Sequence, residues 1–165
     1  MRGGVEQAIE VLGQAPLRFE EVARLVPADG WSWEPADWEG IPGERFSAVG
    51  QACHLRDIEI DGYHVRFRRL LEEENPDLAS LDGYQLARER GYARADPVRA
   101  LAEFRAARRS TLELLARAGA DQLKRRGTFA EYGEITLRGL IHYLCSHDQQ
   151  HLACMYWLLG RMASR

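Results

Sequence analysis

The sequence predicts an all-α fold, a four-helix bundle in a single domain over residues 1–165. Three observations carry that prediction. Apolar residues recur at helical spacing in four long segments. The three connections between them are long and rich in helix breakers. Each segment after the first is preceded by a Ser, Asp or Thr that can cap a helix start. A chain of this length can bury a sizeable core without cross-links.

Val5, Ile9, Leu12, Phe19, Val22, Ala23 and Val26 place the first helix at about 4–26. Pro16 within it predicts a kink or a restart, because proline donates no helical hydrogen bond. The connection that follows, 27–44, mixes prolines and glycines with Trp31, Trp33 and Trp38. Such indoles cap one end of a core or line the mouth of a pocket. Ser47 caps a second helix, about 47–74, whose inward stripe is Val49, Cys53, Ile60, Phe67 and Leu71. Its inner side also carries His54, Asp57, Asp61 and His64 at steps of three, four and three. Burying such groups unpaired costs several kcal/mol, so this seam calls for a partner or for water.

Residues 74–95 form a long connection broken at Asn75-Pro76, Gly83 and Gly91, with a short helix over about 84–90. Some twenty residues suit a crossover that starts a parallel neighbour, so the second and third helices run parallel. Asp96-Pro97 is a cap followed by a first-turn proline. Val98, Leu101, Phe104, Ala107, Leu112 and Leu115 then carry the third helix to about Ala118. Residues 120–135 form a third connection that can pair as a brief hairpin, and Thr136 caps the fourth helix.

That last helix contains the chemistry. His147 and His151 stand four residues apart on its apolar side, about 5–6 Å apart at Cβ, so both imidazoles reach one metal ion. In a bundle the third ligand comes from a facing helix, here the second. A ferritin-like two-metal site requires Glu-x-x-His pairs, and only Asp61-x-x-His64 and Asp148-x-x-His151 are present, which argues against it. No Gly-rich phosphate loop and no Gly-x-Ser-x-Gly elbow occurs.

A net charge of −3, with Lys124-Arg125-Arg126 as the densest basic run, gives no footprint for nucleic acid. The most apolar run, 137–160, is interrupted by His147-Asp148-Gln149-Gln150-His151 and does not read as a membrane span. Three cysteines without paired spacing fit a reducing compartment, and the polar start lacks an export signal, so a cytoplasmic location is expected.

Two stretches resemble the DinB/YfiT-like superfamily of small bacterial four-helix proteins. One is Phe46-Ser-Ala-Val-Gly-Gln-Ala-Cys-His-Leu-Arg-Asp-Ile-Glu59, similar to the family's aromatic residue, Ser and apolar run ending in a first histidine. The other runs from Thr136 to the His147-Asp-Gln-Gln-His151 ending, like the family's capped last helix. The resemblance implies an up-down-down-up bundle in which His54, His147 and His151 hold one divalent metal, with Asp57 or Glu59 matching a nearby acid, Asp57 as support behind the ligands. Cys53 and Cys154 depart from the pattern, and small thiols in a core usually serve packing. Imidazoles suit zinc and nickel first, then iron; copper and manganese are further candidates.

Three neutral imidazoles leave a coordination position open, which favours an enzyme: a small-thiol-dependent transferase or a hydrolase acting on a small molecule. Mycothiol, bacillithiol and glutathione are the thiols that the resemblance suggests as cosubstrates. The absence of an evident general base favours the alternative, a noncatalytic, metal-bound, stress-linked binding module. Cys145, Leu152, Tyr156 and Leu159 widen the apolar surface of the last helix beyond the histidine side. That width predicts a homodimer, unless Trp157 and the aromatic connection cover it within the chain.

Overall fold

The computed structural model describes residues 3–130 and 132–165. Helix α1 spans Gly3–Ala23 and continues through Pro16 instead of restarting there. Proline at position 16 cannot donate to the Leu12 carbonyl four residues back. That carbonyl instead accepts from Arg108 Nη1 at 3.0 Å, so the acceptor released by proline is satisfied from another helix.

Ser47 caps α2, Ala48–Asp57, its hydroxyl accepting from Gly50 N–H. The rod continues as one π-helical turn, Ile58–Tyr63, and then as α3, His64–Glu72. The crossover holds a two-residue strand β1, Asp77–Leu78, the short α4, Gly83–Glu89, and a 3-10 turn at Tyr92–Arg94. Helix α5, Pro97–Leu115, starts at the Asp96 cap, whose carboxylate accepts from the N–H groups of Val98 and Arg99. The predicted hairpin is present as β2, Arg126–Phe129, antiparallel to β3, Gly133–Thr136. Strand β1 adds to it in parallel, with Leu78 opposite Phe129, making a three-stranded sheet that the sequence pattern did not predict. Two residues are too few to show a period of two. Helix α6, Leu137–Ala163, begins at Thr136, whose Oγ1 accepts from Gly139 N–H at 3.0 Å.

Cross-helix pairs fix the directions. Arg56 meets Glu103, Glu59 meets Arg108 and His64 meets Thr111, so the α2–α3 rod and α5 run parallel. Glu20 with Arg105 and Leu12 with Arg108 make α1 antiparallel to α5. Gln51 with His151 and His54 with His147 make α6 antiparallel to α2. The order is therefore up-down-down-up, and α1 and α2 each pack against both α5 and α6.

The core has two apolar clusters. One gathers Leu12, Phe67, Leu70, Leu137 and Leu144. The other gathers Phe19, Val49, Phe104, Met155 and Leu158, with Trp31, Trp33 and Trp38 packed against it. Between them lies a layer of buried polar residues: Gln51, His54, Glu59, Arg108, Asp148 and His151. No helix among the described residues is long and apolar enough to cross a membrane.

Candidate metal centre

The bundle brings His54 of α2 together with His147 and His151 of α6. Their ring centroids lie 4.4 to 5.4 Å apart. Glu44, in the connection that leads into α2, joins them, and one ligating atom from each of the four lies within 4.8 Å of all the others. Gly43 makes this approach feasible, because a Cβ there would stand 2.8 Å from Gln150 Cγ and 3.1 Å from Cys154 Sγ. Gly83 covers the other side, where a Cβ would fall 2.8 Å from His54 Cε1.

The donor set has more lone pairs than protons. Gln51 Nε2 donates to the carbonyls of Glu44 and Phe46, so Gln51 Oε1 is left as an acceptor. At 2.6 Å it accepts from His151 Nδ1–H, the tautomer that leaves the lone pair on His151 Nε2. That nitrogen faces Glu44 Oε2 at 3.0 Å, acceptor against acceptor. His54 Nε2 lies 3.3 Å from His147 Nε2 and 3.6 Å from Glu44 Oε1. Burial, reinforced by the neighbouring imidazoles, holds His54 and His147 well below the ordinary histidine range, so both are neutral at pH 7. Three imidazole nitrogens and a carboxylate converging in this way fit a divalent cation.

The remaining polar groups of the second predicted helix lie elsewhere. Asp57 is buried, but its carboxylate is taken by Arg56, Arg90 and the Tyr92 hydroxyl, not by a ligating histidine. Asp61 pairs with Arg90 at the surface, and His64 Nδ1 meets Thr111 Oγ1 at 3.1 Å. The cause is the π turn, in which the His64 N–H reaches back five residues to the Glu59 carbonyl. One residue is absorbed, and everything beyond it is rotated by about 100° relative to a straight α-helix. Glu59, the other acid considered, is buried against Arg108, which also grips Asp148 through both carboxylate oxygens. Burial pushes the Cys53 and Cys154 thiols up to about 11, so both are packing groups and not thiolates.

A cavity of about 120 Å³ opens onto the cluster, lined by Glu44, His54 and His147 and walled by Tyr63, Arg66 and Phe129. Larger grooves exist, such as one of about 380 Å³ beside Trp31 and Leu101, but none of its lining residues belongs to the histidine cluster. The signal for Glu44 and Gln51 in the sequence was faint. Glu44 sits in an irregular segment, and a lone Gln on an apolar helix face has no motif.

A sequence model of the DinB superfamily matches residues 12–155. No curated protein matches the sequence. Among solved structures, YfiT from Bacillus subtilis is similar, with a TM-score of 0.84 and 22% identity over 99% of this chain and 90% of that one. YfiT is described as a probable metal-dependent hydrolase with an unusual four-helix bundle topology.

Proposed function

This chain belongs to the DinB superfamily, and on that premise we propose that it is a divalent-metal-dependent hydrolase acting on a small molecule, with His54, His147, His151 and Glu44 holding the ion. The observation that carries the reading is the convergence of four ligating atoms within 4.8 Å with no proton available between His151 Nε2 and Glu44. The description of YfiT as a probable metal-dependent hydrolase supports the same class. A bound divalent ion supplies Lewis acidity, polarising a substrate oxygen and making water or a thiol nucleophilic near neutral pH.

The chain's own residues prepare the site. Gln51 fixes the His151 tautomer and its ring orientation, the outer-shell role that tunes ligating histidines. Burial keeps His54 and His147 unprotonated and available. Glu44 is the one donor carried by a connection and the most exposed of the four, so it is the donor a substrate can displace.

The test is turnover of a panel of small esters and amides by zinc- and nickel-loaded protein, with and without mycothiol, bacillithiol or glutathione. Metal-dependent hydrolysis without thiol is the expected result. Turnover only with a thiol assigns the site to transfer chemistry, and none in any arm contradicts the enzyme reading in favour of a noncatalytic binding module.

A further inference from the structure

The π turn does more than turn Asp61 and His64 away from the histidines. In a straight α-helix Tyr63, nine residues beyond His54, would lie about 180° round from it, and Arg66 about 120° round. With one residue absorbed by the turn, these offsets become about 80° and about 20°. Both side chains accordingly line the cavity that His54 and His147 share. Gly62, inside the turn, lets Arg66 fold close, since a Cβ there would meet Arg66 Nη1 at 3.1 Å.

We infer that Tyr63 is the hydrogen-bond donor of this cavity that recognises an oxygen acceptor on a small carboxylate or acyl compound seated beside the metal ligands. The inference rests on the metal-binding reading above and adds to it the class of ligand. The Tyr63 ring centre is 5.5 Å from that of His147, and the residue is only 4% exposed. Tyr63 lines the cavity directly, beside His54 and His147. A phenol keeps its proton at neutral pH, so the Tyr63 hydroxyl is available as a donor there. The Arg66 guanidinium, bonded to the Ala79 carbonyl, lies over the Tyr63 ring at 5.2 Å and over Phe129 at 4.4 Å. A donor hydroxyl and a metal-binding cluster around one cavity select a ligand that presents oxygen lone pairs. The volume of about 120 Å³ is roughly that of four water molecules, which limits the recognised group to acetyl size or a little more.

The test uses the full chain loaded with cobalt(II), titrated with acetate and followed by the visible spectrum of the ion. Tyr63→Phe is expected to bind the same amount of cobalt with the same starting spectrum, but to take up acetate about tenfold more weakly, the loss of one charge-assisted hydrogen bond. His64→Ala, on the opposite face of the rod, leaves acetate affinity unchanged. Equal acetate affinity in wild type and Tyr63→Phe overturns the inference, as does loaded wild type that ignores acetate. Tyr63→Phe that loses cobalt makes the tyrosine a support of the cluster instead. Wild type that takes up no cobalt fails at the metal reading itself, an outcome that stoichiometry separates from all the others.

Discussion

At the scale of single residues, the site depends on which groups are denied a proton. Gln51→Leu removes the acceptor for His151 Nδ1–H while keeping volume. It is expected to lower metal affinity about 10–100-fold with little change in fold, as measured by competition with a chelator. Arg108 is fully buried between Glu59 and Asp148, and Arg108→Met leaves two buried carboxylates uncompensated. The expected loss is about 3–5 kcal/mol of stability in denaturant titrations. For pH, His54 and His147 have folded pKa values below the 6.5 of an unfolded chain. The unfolded state then binds more protons below that value, so metal-free protein is most stable above about pH 6.5 and loses stability as pH falls beneath it. Urea midpoints of stripped protein at pH 7.5 and 5.5 check this, and equal midpoints contradict it. His147 and His151 were legible because a spacing of four on an apolar stripe is a metal-ligand pattern, and His54 because of the family resemblance. Glu44, Gln51 and Tyr63 were not, because a residue in an irregular segment, a buried amide and a core-like tyrosine carry no periodic signal.

At the scale of elements, the helix starts were written plainly in their caps. Ser47, Asp96 and Thr136 each accept from a first-turn N–H as the sequence suggested. Thr136→Ala is expected to cost about 1 kcal/mol and to fray the start of α6, which amide exchange at Gly139 and Leu140 would register. The interior of the second predicted helix was legible only to its midpoint. A pattern read at 100° per residue cannot detect one residue absorbed in a π turn, so the polar seam was carried correctly to His54 and wrongly beyond Asp57. Pro16 taught the opposite lesson, since a break was expected and Arg108 supplied the bond that kept the helix continuous.

At the scale of the whole molecule, the length of the middle connection was enough to predict parallel neighbours, and the cross-helix pairs give the same arrangement. The small sheet was half legible, its hairpin by turn residues and its third strand not at all. A homodimer is proposed through the outer face of α6, where Tyr156 is 55% exposed beside half-buried Leu152 and Leu159. The surface is narrower than the sequence suggested, because Trp38 stacks on Trp157 at 6.0 Å within the chain. Light scattering at micromolar concentration is expected to give twice the chain mass and to give one chain mass for Tyr156→Glu. A monomer in both means that the aromatic connection suffices to cover the helix.

The most direct test of the central claim is metal stoichiometry by elemental analysis of the purified protein beside the triple variant His54→Ala, His147→Ala, His151→Ala. The account predicts about one divalent ion per wild-type chain, as the single cluster of ligating residues found among the described residues implies, and almost none in the variant. A variant that folds and keeps its full metal content would place the ion elsewhere and contradict the account.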